Sequence, residues 1–386
     1  MSQKTEKKDP VIITYCYLAT TAVNLLNFLM PIPVAIQLFV NSIACIFIGS
    51  YRGAILHHKL DKEEKSKLEK MSSKDAYLFP VYGSAVLFGL YVVYKNFDKD
   101  LLNKILSVHF TFFGFLSLLS LIAYHLEKLF SNWNEVVFEK SFNFNIPLFS
   151  KKIDISLKKS EIIAGVISIP PTILYFATKH WLLNNLFGIA FSIGGIESLI
   201  LPNFKVGFIL LWGLFFYDIF WVYGTDVMLT VAKSVDAPIK LIHPINLHGL
   251  EPKFSMLGLG DIVIPGVFVA LCLKYDVHTT ILKKFKDNIK ELDFSAVKTT
   301  YFNWCMVGYA LGIVATFNAM VIFNHAQPAL LFLVPGCSFS VLLCGLYKKD
   351  VKGLLEYSEE EVKEELKAED SDETTSAPSK QEKKSN

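Results

Sequence analysis

The sequence predicts an all-α polytopic membrane protein, and three observations carry that prediction. Of its 386 residues, 52% are hydrophobic and the mean hydropathy is +0.39, well above a soluble chain of this length, which would divide into about two domains. Its apolar residues come in blocks of about twenty, the length that crosses a hydrocarbon core of about 30 Å as a helix. Lys and Arg gather in alternate connectors, as a fixed orientation in a bilayer requires. The net charge of +2 is too small to suggest nucleic acid. The lipid bilayer is the expected surrounding.

Residues 1–10 are basic (Lys4, Lys7, Lys8) and lead into an apolar block at about 11–30. A signal peptide would have a shorter apolar region and a small-residue cleavage site, but a removed leader stays open for this block. Met30-Pro31-Ile32-Pro33 punctuates the chain before a second block to about Ser50. The connector 52–75 carries Arg52, Lys59, Lys62, Lys65, Lys67, Lys70 and Lys74. Spans are expected at about 76–95 and 105–125. The polar interruption 126–160 contains Phe142-Asn143-Phe144-Asn145-Ile146 and Ile153-Asp154-Ile155-Ser156-Leu157, whose alternation predicts a small strand pair at the membrane surface.

Further spans are expected at about 161–178, kinked by Pro170-Pro171, at 181–201, and at 206–223, where an extension through 225–234 stays open. After a connector at 235–255 come spans at 256–275, 299–323 and 327–347. The tail from Lys348 is acidic, then rich in Ser, Glu and Lys, and is expected to be disordered. The chain thus divides into N-terminal segments and connector (1–75), a helical scaffold with its loop 126–160 (76–205), helices carrying the candidate site (206–347) and a tail (348–386).

The connector 52–75, the loop 126–160 (Lys128, Lys140, Lys151, Lys152, Lys158, Lys159), the loop 276–298 (Lys283, Lys284, Lys286, Lys290) and the tail all fall on one side. By the positive-inside rule that side is cytosolic. The count is ten spans, or nine if the first block is removed. The six cysteines lie in apolar blocks without metal-ligand spacing and read as small buried hydrophobes.

Two residues break the apolar pattern at high cost. Asp218 and Asp261 each lie in a run that belongs in lipid, where a carboxylate costs roughly 2.5–3.5 kcal/mol at a helix centre. Asp218 is about 18 Å along its span from Val206, near mid-bilayer, whereas Asp261 lies only about five residues into its block. The two spans are consecutive and antiparallel, and Gly258 and Gly260 allow close backbone approach. Two carboxylates a few ångströms apart cannot both ionise easily and share a proton. Such a dyad performs general acid/base work on one water, which suits amide hydrolysis. The plainer alternative is that each Asp is interhelical glue or lines a water cavity.

A third element is His325-Ala326-Gln327-Pro328-Ala329-Leu330. Pro328 lacks an N–H and leaves backbone groups near Gln327 without helical partners, free to hold an extended peptide; taken alone, an ordinary helix start is the favoured reading. Residues 237–244 (APIKLIHP) are β-branched and bounded by prolines, as an edge strand open to a substrate or a plain loop would be. His109 and His125 sit on an apolar span. No zinc spacing, HExxH or GxSxG is present, so no metal or other cofactor is expected.

Tyr217-Asp218, Gly258-Leu259-Gly260-Asp261 and Gln327-Pro328-Ala329-Leu330 resemble, in order, the YD, GxGD and QPAL motifs of the intramembrane aspartyl proteases. The wider context (FYDIFWVYGTDVMLTVAKSVDAPIKL, MLGLGDIVIPG, HAQPALLFLVP) is similar to the signal-peptide-peptidase branch rather than presenilin, whose third motif reads PALP where this chain has Pro328-Ala329-Leu330-Leu331. The resemblance runs from about 76 to 347. It implies a presenilin-like bundle of nine transmembrane helices, ten with the extra block at 11–30, and Asp218 and Asp261 as the catalytic pair. It also implies that Tyr217, Gly258, Leu259, Gly260, Gln327, Pro328, Ala329 and Leu330 surround the substrate.

Implied substrates are transmembrane peptides in type II orientation, including signal-peptide remnants in the endoplasmic reticulum membrane. Homo-oligomers and quality-control complexes of that membrane are the implied partners. Lys383 and Lys384 resemble a dilysine retrieval signal, which must be cytosolic to be read. A proton-coupled transporter using paired carboxylates and a non-catalytic scaffold are the rival classes.

Overall fold

The computed structural model describes residues 11–27, 30, 32–59, 71–146, 149–245, 254–286, 297–323 and 327–359. Each expected span among them is a helix: α1 (Val11–Leu26), α2 (Val34–Lys59), α3 (Ser73–Asn96), α4 (Lys99–Leu129), α5 (Lys159–Thr178), α6 (Trp181–Ser198), α7 (Phe204–Tyr223), α9 (Gly260–Lys286), α10 (Thr300–Phe323) and α11 (Leu330–Lys348). Short helices α8 (Val227–Ser234) and α12 (Val351–Glu356) follow α7 and α11. Seven of these, α2, α3, α4, α5, α7, α10 and α11, are long and apolar enough to cross a membrane. The chain is an all-α polytopic membrane protein.

Local chemistry sets the helix ends. Ser72 and Asp75 form a capping box at the start of α3, Asp98 accepts from the Asp100 N–H to begin α4, and Asn203 accepts from the Val206 N–H to begin α7. α5 runs unbroken through Pro170 and Pro171. The loop between α4 and α5 forms the expected strand pair, β1 (Val136–Ile146) and β2 (Phe149–Lys158), antiparallel with Phe142 opposite Ile153.

The core sits between α2, α6, α7, α9, α10 and α11, with Ile46, Ile193, Phe204, Phe268, Phe302 and Leu333 fully buried. α10 and α11 approach so closely that a Cβ on Gly312 would lie 3.0 Å from Leu333 Cα, and one on Gly308 would strike the Gly336 carbonyl. Small residues are how helices gain contact in lipid, where no hydrophobic force pulls them together.

Three expectations need correction. The span ending at 223 does not continue through 225–234: α7 stops at Tyr223, the Thr225 hydroxyl donates to the freed Trp221 carbonyl at 3.0 Å, and α8 starts anew. The span expected from 256 starts instead at Gly260. Residues 254–258 are a strand, β4 (Phe254–Gly258), paired antiparallel with β3 (Lys240–Pro244), and the Leu259 N–H extends that pairing to Ile239 O at 3.0 Å. Pairing satisfies backbone groups that a helix would otherwise have to satisfy. The tail is not disordered over 351–359, where Leu354 and Tyr357 insert into the core; the rest of it, including Lys383 and Lys384, lies outside the described residues.

Candidate active site

α7 brings Asp218 to the site five residues before its end at Tyr223, about 7.5 Å along the axis. α9 brings Asp261 as its second residue. Both carboxylates therefore lie toward the same end of the bundle, Asp218 within the last turns of α7 and Asp261 in the first turn of α9. The chain at that end packs against the bundle as α8, with Val227 and Val231 buried beside Tyr94 and Trp221, and as the β3–β4 hairpin held by α6. Asp218 is 3% exposed and Asp261 half-buried. α7 and α9 pack side by side, with the ring of Phe268 5.2 Å from that of Phe208.

Backbone from α11 completes the site. The Leu330 N–H donates to Asp218 Oδ2 at 3.1 Å. It is free to do so because α11 begins at Leu330 with Ala329 as its uncapped N-terminal neighbour, and the first amides of a helix have no partner within it. Pro328 accepts from Leu331 N–H at 3.3 Å and Ala329 from Leu333 N–H at 3.1 Å, so the motif closes into the first turn. Pro328, Ala329 and Leu330 are buried. The Tyr223 hydroxyl donates to Gln327 Oε1 and ties the end of α7 to the same turn. His325 and Ala326 lie outside the described residues.

The glycine motif positions the second carboxylate. A Cβ on Gly258 would lie 3.2 Å from Asp261 Oδ2, so the carboxyl folds back over a residue with no side chain. Gly260 is exposed at the helix start, and Leu259 turns inward, 3.4 Å from where a Gly188 Cβ would stand on α6. Tyr309 of α10, fully buried, donates to the Asp261 carbonyl at 3.4 Å. Tyr217 contacts α3. Its ring lies 3.5 Å from a Cβ built on Gly83 of α3, and it packs near Trp221.

The edge strand expected at 237–244 is present as β3, but it is not open on either side. One side pairs with β4, and the other is covered by α6: Asn184 donates to Lys240 O at 2.8 Å, while Asn185 donates to Ile242 O and accepts from its N–H, both at 2.8 Å. The outer strand is β4, with Phe254 and Met256 exposed. His243, fully buried on β3, has Nε2 3.1 Å from Asn41 Nδ2 of α2 and 3.4 Å from Asn185 Nδ2. Both amides can only donate there, so Nε2 accepts and the ring is neutral; burial lowers its pKa to about 4. Sequence reasoning passed over Asn41, Asn184, Asn185, His243 and Tyr309. Amides inside apolar blocks were the available signal.

His125 is occupied at home, its Nδ1 2.8 Å from the Leu121 carbonyl on its own helix. Among the described residues no group of His, Cys, Asp and Glu could hold a metal, and all six cysteines are free.

A family model described as signal peptide peptidase matches residues 63–361. The chain is 40% identical over 324 residues to signal peptide peptidase of Mus musculus, covering 83% of this chain and 81% of that protein. To signal peptide peptidase of Homo sapiens it is 38% identical over 340 residues, covering 86% and 85%. Intramembrane protease 2 of Caenorhabditis elegans is 45% identical over 212 residues, 53% of this chain and 44% of that protein. With Asp218, Asp261 and the turn before α11 all inside the matched region, this chain belongs to the signal peptide peptidase family.

Proposed function

We propose that this intramembrane-cleaving protease is an aspartic endopeptidase in which Asp218 and Asp261 share one proton and activate one water. The observation that carries this reading is the Leu330 N–H on Asp218 Oδ2, beside an Asp261 whose carboxyl is folded over Gly258. A donor on Asp218, at the positive end of the α11 dipole, makes it the partner that carries the charge, and Asp261 the partner that carries the proton.

Asp218 takes a proton from water as the oxygen attacks the substrate carbonyl carbon, and Asp261 gives its proton to the carbonyl oxygen, forming a gem-diol. In the second half Asp218 passes its proton to the amide nitrogen and Asp261 recovers one from a gem-diol hydroxyl. The C–N bond then breaks to leave a carboxyl and an amine. A helical amide is shielded by its own hydrogen bonds, so the substrate must unwind first. The exposed strand β4 offers its outer edge to the unwound segment by strand addition, with the turn Gln327–Leu330 as the opposite wall.

The substrates in this reading are transmembrane peptides, signal-peptide remnants and type II membrane proteins of the endoplasmic reticulum. The basic end of the bundle, with Lys383 and Lys384 beyond it, faces the cytosol. Homo-oligomers and membrane-protein quality-control complexes are the partners such a location supplies. The test is cleavage of one labelled signal peptide by the detergent-solubilised protein. Product should form with wild type, and be lost with Asp218→Ala, with Asp261→Ala, or with an aspartyl transition-state analogue. Undiminished product from either folded variant sinks the proposal.

A further inference from the structure

Beyond α11 the chain runs back across the basic end of the bundle. α11 ends where Lys349 takes a left-handed φ of 57° and the Asp350 N–H donates to Gly345 O at 2.9 Å. Asp350 Oδ2 then accepts from the Tyr275 hydroxyl of α9 at 2.7 Å and the Tyr301 hydroxyl of α10 at 3.2 Å. Gly353 fits between them: a Cβ there would collide with Asp350 Oδ1 and lie 3.2 Å from Tyr275 Oη. The ring of Tyr357 stands 6.1 Å from that of Phe204, the first residue of α7, and 5.2 Å from that of Tyr275.

Glu359 closes the path. Its N–H donates to Pro202 O, just ahead of α7, at 3.0 Å. Its Oε1 lies 3.0 Å from His57 Nε2 of α2 and 3.4 Å from Lys274 Nζ of α9. The residue is 6% exposed. Burying a carboxylate is costly even when it is paired, so covering apolar helix ends does not by itself account for a Glu here. A bridge that fixes three elements in one register does.

The grip falls on the two helices that carry the aspartates. Phe204 and Lys274 lie about 20 Å along their helices from Asp218 and Asp261. α11, 19 residues and about 28 Å long, joins this segment to Leu330, which holds Asp218. The result is a frame of α7, α9 and α11 closed at both ends, by Leu330 on Asp218 at one and by Asp350, Tyr357 and Glu359 at the other. Helices are stiff over such lengths, so play at the basic end reappears at the carboxylates, where a misplacement of about 1 Å costs on the order of 100-fold in rate.

We propose that the segment from Asp350 to Glu359 is a positioning clamp for the Asp218–Asp261 pair, with Glu359 as its closing residue. The proposal rests on the aspartic protease reading for its effect on cleavage but not for its effect on geometry, and the test separates the two. Full-length protein in detergent carries nitroxides at Phe220→Cys on α7 and Met256→Cys on β4, both exposed sites, with and without Glu359→Ala. The expected result is a wider distance distribution with Glu359→Ala. On the unlabelled protein, kcat for a labelled transmembrane peptide falls about tenfold with KM within twofold. Transition-state analogue binding weakens by the same factor, and Glu359→Gln, which still accepts from Lys274, recovers most of it. An unchanged distance distribution in folded Glu359→Ala overturns the clamp whatever happens to kcat. Wild-type protein that yields no Asp261-dependent product sinks the proteolytic reading instead and leaves the distances to judge the clamp.

Discussion

The Leu330 N–H donates to Asp218 Oδ2 at 3.1 Å across 112 positions of sequence. In effect Asp218 caps α11 from another helix, a task that a local Ser, Thr, Asp or Asn usually performs. One hydrogen bond thus serves both as a helix end and as a support for the site. Asp218→Asn keeps an acceptor for Leu330 but loses the base, so its melting temperature should stay within a few degrees of wild type while cleavage falls about 100- to 10,000-fold. Asp218→Ala loses both, and leaves a buried N–H unpaired at a cost of about 1–3 kcal/mol. Thermal unfolding of the two variants side by side checks the ordering; equal stabilities would remove the capping role.

Gly258→Ala introduces a Cβ 3.2 Å from Asp261 Oδ2. That is tight enough to displace the carboxyl by a few tenths of an ångström without disturbing the strand. The expected outcome is a loss of about 10- to 100-fold in kcat with KM for a transmembrane peptide nearly unchanged. A change confined to KM would show that the glycine serves substrate access instead.

Asn185→Leu should loosen the hairpin that leads to Asp261. The leucine leaves both the N–H and the C=O of Ile242 without the partners they have at 2.8 Å, a cost of about 2 kcal/mol. Hydrogen exchange at the Ile242 amide should speed up well before global unfolding, and cleavage should fall with it. Wild-type exchange in the variant would mean that pairing with β4 alone holds β3.

His243 gives the protein a pH-dependent stability. Burial lowers its pKa from 6.5 to about 4, so between those values the unfolded chain binds a proton that the folded protein refuses. Its contribution is complete above pH 6.5 and is lost as pH falls toward about 4, on the order of 3 kcal/mol in all. Melting curves in detergent should show a slope in that window that His243→Gln abolishes. An unchanged slope in the variant would assign the effect to other groups.

Legibility in the sequence followed the range of the interaction. Asp218 and Asp261 stood out because a charge in an apolar block is conspicuous one residue at a time, and Pro328 because a proline without an N–H at the start of an apolar block marks a helix beginning. β4 was hidden: FSMLG adjoins an apolar run without strict alternation, and a short apolar stretch does not distinguish strand from helix by its period. The ordered segment ending at Glu359 was hidden as well. Its anchors Leu354 and Tyr357 are too few to make a pattern among charged neighbours, and their partners Phe204 and Tyr275 lie far back in the chain.

By itself the sequence determined the class of the protein, the approximate places of its helices and the two carboxylates that stand out within them. Those follow from local hydropathy and from the demand that backbone in lipid satisfy its own hydrogen bonds. Only the tertiary structure decided that Asp261 begins its helix rather than lying within it. It also decided that Tyr217 faces α3, that Asn184 and Asn185 close one edge of β3, and that the amide freed at the start of α11 falls on Asp218. Each of these joins residues tens to more than a hundred positions apart. Such pairings are selected by helix packing in three dimensions, and a one-dimensional pattern carries no record of which helices will touch.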